Sequence, residues 1–151
     1  MRRLAGMALL MLAGCTGTTG PVVGDWRGVQ PSLDAFYSIN TELILDGTPD
    51  AVGGTYHLVS VVMDPNIGSQ DQQNVRWTDR WEKQVRQDAA GRPYPTIHLH
   101  NAPGTQPTDY ILTGNNLLVP LVNAARPDVS ANALRFALVP LPRSAYGYGR
   151  P

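Results

Sequence analysis

Residues 37–45 alternate, with Tyr37, Ile39, Thr41, Leu43 and Leu45 set against Ser38, Asn40 and Glu42. A period of two puts the first set on one face of a strand and the second on the other. Similar segments recur along the chain. Residues 55–63 are rich in β-branched side chains, which favour pleated structure. Residues 74–85 set Arg76, Thr78, Arg80 and Glu82 against Trp77, Asp79 and Trp81. Strands are also expected at 25–29, 96–101, 109–113, 117–121 and 132–139, the last with Leu134, Phe136 and Leu138 on one face. Turn signals separate them: Asp46-Gly47, Gly53-Gly54, the polar stretch 64–71 and the turn 89–93. The chain holds 15 Gly and 13 Pro, and no segment keeps a 3.6-residue period, so helix is limited to a turn near 32–36 or 124–130. The sequence therefore predicts an all-β fold. It would be a small single-domain antiparallel barrel, or a strongly bent sheet, of about eight strands and lipocalin-like.

The first fifteen residues have a different character. Arg2-Arg3 precede an apolar run at 4–13, which ends in Leu12-Ala13-Gly14-Cys15. A charged start, a short apolar core and small residues before a cleavage point are the layout of a secretory signal peptide. About ten apolar residues are too few to span a bilayer, which needs roughly 20. The Leu-Ala-Gly-Cys ending resembles the lipobox of bacterial lipoproteins. That resemblance implies a diacylglycerol on the Cys15 sulfur and cleavage just before it. It divides the chain into a signal peptide at 1–14, a flexible tether at 15–23, a β-barrel domain at 24–143 and a low-complexity tail at 144–151 expected to be disordered. The tether reaches roughly 30 Å when extended, so the domain sits close to its membrane. Resemblance to sorted lipoproteins adds that Thr16 stands where retention at the inner membrane would show Asp. The expected location is the outer membrane, facing the periplasm.

Composition narrows the partners. Without Arg2 and Arg3, ten basic side chains face twelve acidic ones, and Lys83 is the only lysine. A chain so close to neutral has no electrostatic footprint for nucleic acid. Cys15 is the only cysteine, so once lipidated it leaves no thiol for a disulfide, and packing alone must hold the fold.

The strand motifs carry a second resemblance. Gly24-Asp25-Trp26-Arg27-Gly28 is followed by Pro31-Ser32 and by the spaced Ile39, Thr41, Leu43 and Leu45. Next come Gly54-Thr55-Tyr56-x-Leu58, Trp81, Ile97-x-Leu99, Tyr110-x-Leu112 and Leu117-Leu118. This order is similar to the small barrel of NlpE-type copper-homeostasis lipoproteins over roughly residues 24–121. The family's Cys-x-x-Cys pair is missing, so thiol chemistry and copper binding through it do not carry over.

Three sets of residues merit a chemical reading. His98 and His100 sit at i and i+2 of one strand and project together, with His57 on another. Such a trio could in principle bind zinc or copper. The alternation accounts for all three as the polar faces of their strands, so no metal or other cofactor is expected. Trp77 and Trp81 share a strand face and are the candidate floor of a ligand pocket. Asp64-x-Asn66-x-Gly68 starts like a calcium loop, but Ser69 and Val75 stand where that loop needs Gly and Glu. No Gly-x-Ser-x-Gly, His-Glu-x-x-His or phosphate-binding glycine loop occurs. The expectation is a non-enzymatic envelope lipoprotein, bound to the membrane through its N-terminal lipid and touching other envelope proteins. A lipocalin-like carrier of a small apolar ligand is the alternative.

Overall fold

The computed structural model describes residues 21–31, 38–63, 74–104 and 106–142. Cys15, the segment 1–14, the turn at 32–36, Tyr37, the loop 64–71 and the tail 144–151 lie outside the described residues. The described chain is nearly all β. Its strands are β1 (Gly24–Pro31), β2 (Ser38–Leu45), β3 (Gly53–Met63), β4 (Asn74–Gln87), β5 (Pro93–Leu99), β6 (Asp109–Leu112) and β7 (Leu118–Pro120). A four-residue helix, α1 (Ala131–Leu134), and the two-residue strand β8 (Val139–Pro140) follow. All neighbouring strands are antiparallel, in the order β7-β6-β5-β4-β3-β2-β1-β8. The meander curls until its edges nearly close into a barrel. Leu138 forms an antiparallel bridge to Leu118 on β7, and the next two residues pair with Trp26 and Arg27 on β1. Among the described residues no helix is long and apolar enough to cross a membrane.

The period of two works as the sequence predicts. On β2, Ile39, Thr41, Leu43 and Leu45 are buried, while Ser38 and Asn40 are exposed. Register carries the pattern across the sheet, as Trp26 faces Leu43 and Leu43 faces Leu58. The inner cluster is built from Trp26, Leu43, Leu58, Trp81, Ile97 and Leu118 with their neighbours. Burial of this apolar surface is the main stabilising term in a chain without a disulfide. Val22, within the stretch 15–23, belongs to the cluster and accepts the Trp26 indole N–H at 2.9 Å.

Two sequence expectations are corrected. Residues 132–139 do not form one strand. Leu134 N–H bonds to the Ser130 carbonyl and Phe136 N–H to that of Ala133, which are helical and turn bonds. Ala131, Ala133 and Leu134 are good helix formers. Three side chains expected on one face therefore separate. Leu134 packs on a second cluster outside the barrel, Phe136 is half-buried, and only Leu138 enters the interior. The second cluster joins Ile111 and Val119 to Ala137, so both faces of β6 and β7 are covered there.

The second correction concerns Gly53 and Gly54, which open β3 instead of forming a connection. A Cβ on Gly54 would collide with the Asp46 carbonyl oxygen. Glycine stands there because another backbone passes too close for any side chain.

Candidate functional site

The two tryptophans of the expected pair differ in their surroundings. Trp81 is 1% exposed, and its indole N–H donates to the Asp46 carbonyl at 3.0 Å. Trp77 points to the same side of β4 but is 42% exposed. The difference comes from the sheet: Trp81 stands where β4 is flanked by both β3 and β5, whereas Trp77 pairs with β3 alone. Beside it, the Tyr56 hydroxyl donates to the His100 carbonyl at 2.8 Å. Burial, and after it the Asp79 charge, push the Tyr56 phenol up to about 12 against a smaller opposing effect of a Trp77 hydrogen bond. Asp79 is held below the usual carboxylate range by the Asn101 side-chain amide and then by the Arg80 N–H.

The three histidines all point outward, and they divide into two groups. His57 Nε2 lies 3.0 Å from Asp46 Oδ2, and its Nδ1 lies 3.0 Å from Thr78 Oγ1. His98 and His100 occupy a polar cluster across β4, β5 and β6. Register sets Glu82 opposite His98 and His98 opposite Asp109. Asp109 Oδ1 lies 2.9 Å from His98 Nδ1 and accepts from Arg86 Nη2 at 2.7 Å. Thr108 Oγ1 donates to Asp109 Oδ2 at 3.0 Å. His100 Nε2 pairs with Glu82 Oε1 at 3.5 Å, and the two imidazoles meet edge to face with centroids 4.7 Å apart.

Both imidazoles therefore have carboxylate partners, which sequence spacing left unplaced. Glu82 and Asp109 come from strands on either side of β5, and only the register brings them in. An Asp–His pair of this kind orients a ring, yet its other contacts stay within the cluster, where the rings face each other and Glu82. Among the described residues no group of three or more His, Cys, Asp or Glu is arranged to hold a metal ion. The cluster works as a cross-strand charge lattice tying β4, β5 and β6 together.

A surface recess of about 420 Å³ opens beside the barrel seam, lined by Pro31, Val119, Pro120, Val122 and Phe136 with Arg126 and Asp128 among its polar groups. Its volume is within the range of small-molecule clefts. Local pattern could not announce it, since its walls come from β1, β7 and the segment after β7. Among the described residues, the centre of the barrel is occupied by side chains. Trp26, Tyr56, Trp81 and Tyr110 are essentially unexposed and fill it with Leu43, Leu58 and Leu99.

Comparison with protein-family models, with curated proteins and with solved structures gave no match to this chain.

Proposed function

We propose that this protein is a lipid-anchored envelope protein whose barrel acts by contact with other envelope proteins, without catalysing a reaction. The anchor is Cys15, and the location is the periplasmic face of the outer membrane. Leu12-Ala13-Gly14-Cys15 after a short apolar run supports the anchor. The observation that carries the contact reading is the filled interior. A carrier of the lipocalin sort needs an apolar chamber, and here four large aromatic side chains occupy that volume. What remains for recognition is the outer surface. Val22 is packed into the core, so only the stretch from Cys15 to Pro21, about 20 Å when extended, separates lipid from folded domain. Partners would be met close to the membrane.

The anchor is tested by blocking lipoprotein signal cleavage with globomycin and by Cys15→Ala. Precursor should accumulate under the drug, and the variant should leave the membrane fraction. Unchanged processing, or a membrane fraction that survives Cys15→Ala, would refute it. Native mass spectrometry of the purified protein checks the contact reading, because a co-purifying apolar molecule of lipid size would favour carriage.

A further inference from the structure

The barrel wall is incomplete at one end of its seam. β8 pairs only with Trp26 and Arg27, so β1 runs on to Pro31 with no strand paired to it on that side among the described residues. The chain has left the sheet there, because Phe136 and Ala137 bond back to Ala133 and Leu134 in the turn after α1. On the far side β7 stops at Pro120. The recess of about 420 Å³ occupies this gap, and Pro31, Val119, Pro120, Val122 and Phe136 give it apolar walls. That volume equals the share of about 14 waters at about 30 Å³ each, which suits a guest of about a dozen heavy atoms.

Two opposite charges line the same recess. Arg126 and Asp128 are two residues apart, so their Cα atoms lie within about 7 Å of each other. They are not paired together, and among the described residues neither side chain takes part in an ion pair. The Ser130 N–H donates to Asp128 Oδ1 at 2.8 Å and holds the carboxyl below its ordinary 3.8, so Asp128 is a charge at neutral pH. Arg135 stands over the Phe136 ring, 4.9 Å from its centroid, and does not line the recess. A simple anion entering here meets Asp128, and a simple cation meets Arg126. A guest that carries both charges satisfies both walls. The remaining walls reward an apolar body.

We infer that this recess binds an apolar α-amino acid, its carboxylate on Arg126, its ammonium on Asp128 and its side chain against Val119, Pro120 and Phe136. An α-amino acid holds its two charges on one carbon, a separation that suits side chains two residues apart. Arginine offers a carboxylate paired N–H donors. The site lies at the Pro31 end of β1, away from Gly24, where the chain arrives from Cys15. It therefore stands whether or not Cys15 is an anchor.

Titration of the purified protein with phenylalanine, followed through amide NMR signals, tests this. A dissociation constant of about 1 mM or tighter is expected, with shifts centred on Val119, Val122 and Phe136. Phenylpropionate and phenethylamine each lack one of the charges and should bind about tenfold more weakly. Arg126→Ala and Asp128→Asn should weaken phenylalanine by about the same factor. Both side chains are exposed, so these variants should keep the wild-type fold. Absence of shifts at about 10 mM phenylalanine, shifts scattered over the surface, or equal binding of the singly charged analogues would overturn the proposal. Glycylphenylalanine, whose charges stand a residue apart, should also bind more weakly. Equal binding of that dipeptide would overturn the amino-acid assignment in favour of a peptide terminus.

Discussion

Leu118 and Leu138 exchange both of their backbone hydrogen bonds, at 2.8 and 3.1 Å, and both side chains are fully buried. This single pair joins β7 to the segment that pairs with β1, and so draws the two edges of the sheet together. An open edge would leave a row of unpaired N–H and C=O groups ready to template another strand.

Leu138→Ala should therefore do more than remove a core side chain. The buried truncation alone costs about 2–5 kcal/mol. Chemical denaturation should show that loss, and hydrogen exchange at the Leu118 and Leu138 amides should rise beyond the global change. A variant with wild-type stability would show that the seam contributes nothing.

Gly54→Ala places a methyl group against the Asp46 carbonyl. The obstacle is backbone, which also receives the Trp81 indole N–H, so it cannot swing aside cheaply. Overpacking of this kind costs typically about 1–3 kcal/mol, with more expected where backbone must move. A fall in melting temperature is the readout, and an alanine variant as stable as wild type would remove the close-approach argument.

Trp77 and Trp81 should part in solution as they do in the fold. Trp81→Ala should cost about 3–5 kcal/mol, as for other buried aromatics. Trp77→Ala should cost about 1 kcal/mol or less. Of the three tryptophans, Trp26 and Trp81 are each 1% exposed, so acrylamide quenching should reside in Trp77 and largely vanish in Trp77→Phe. Strong residual quenching would mean that Trp26 or Trp81 is open to solvent.

Alkaline pH should unfold the domain through its buried phenols. Burial raises Tyr56 from 10.0 to about 12 and raises Tyr110 further. The folded state thus keeps protons that the unfolded state releases, and stability falls as pH rises. Their contribution is complete below pH 10.0; that of Tyr56 is lost as pH climbs through about 12, and that of Tyr110 only above it. Tyrosinate absorbance should rise partly before unfolding and complete itself cooperatively with it. Full ionisation of a still-folded protein at pH 11 would contradict the burial of both rings. At the acid end, Asp79, Asp88 and Asp128 titrate below their ordinary 3.8 through hydrogen bonds led by the Asn101 amide, the Arg92 N–H and the Ser130 N–H. Their favourable contribution is present above 3.8 and disappears as pH falls below it.

Alternation is a local property, and it made the strands readable. Ile39, Thr41, Leu43 and Leu45 are buried because side chains two apart share a face, a fact of backbone geometry that needs no partner. The same reasoning put His57, His98 and His100 outside. It failed at residues 132–139, where alternating apolar residues coincide with good helix formers and short-range backbone bonds prevailed. Register and closure were beyond it. Asp109 meets His98 and Arg86, Gln106 meets Ser60, and Tyr110 meets Gln30 across separations of up to 80 residues. Such contacts depend on how far each strand slides along its neighbour, and that is decided by the summed packing of the whole barrel. The sequence alone thus determined the strand faces and carries the motif at Cys15 on which the proposed anchor rests. Tertiary packing decided which of two equivalent tryptophans is buried, where the sheet closes and where the recess opens, because each depends on residues distant in the chain.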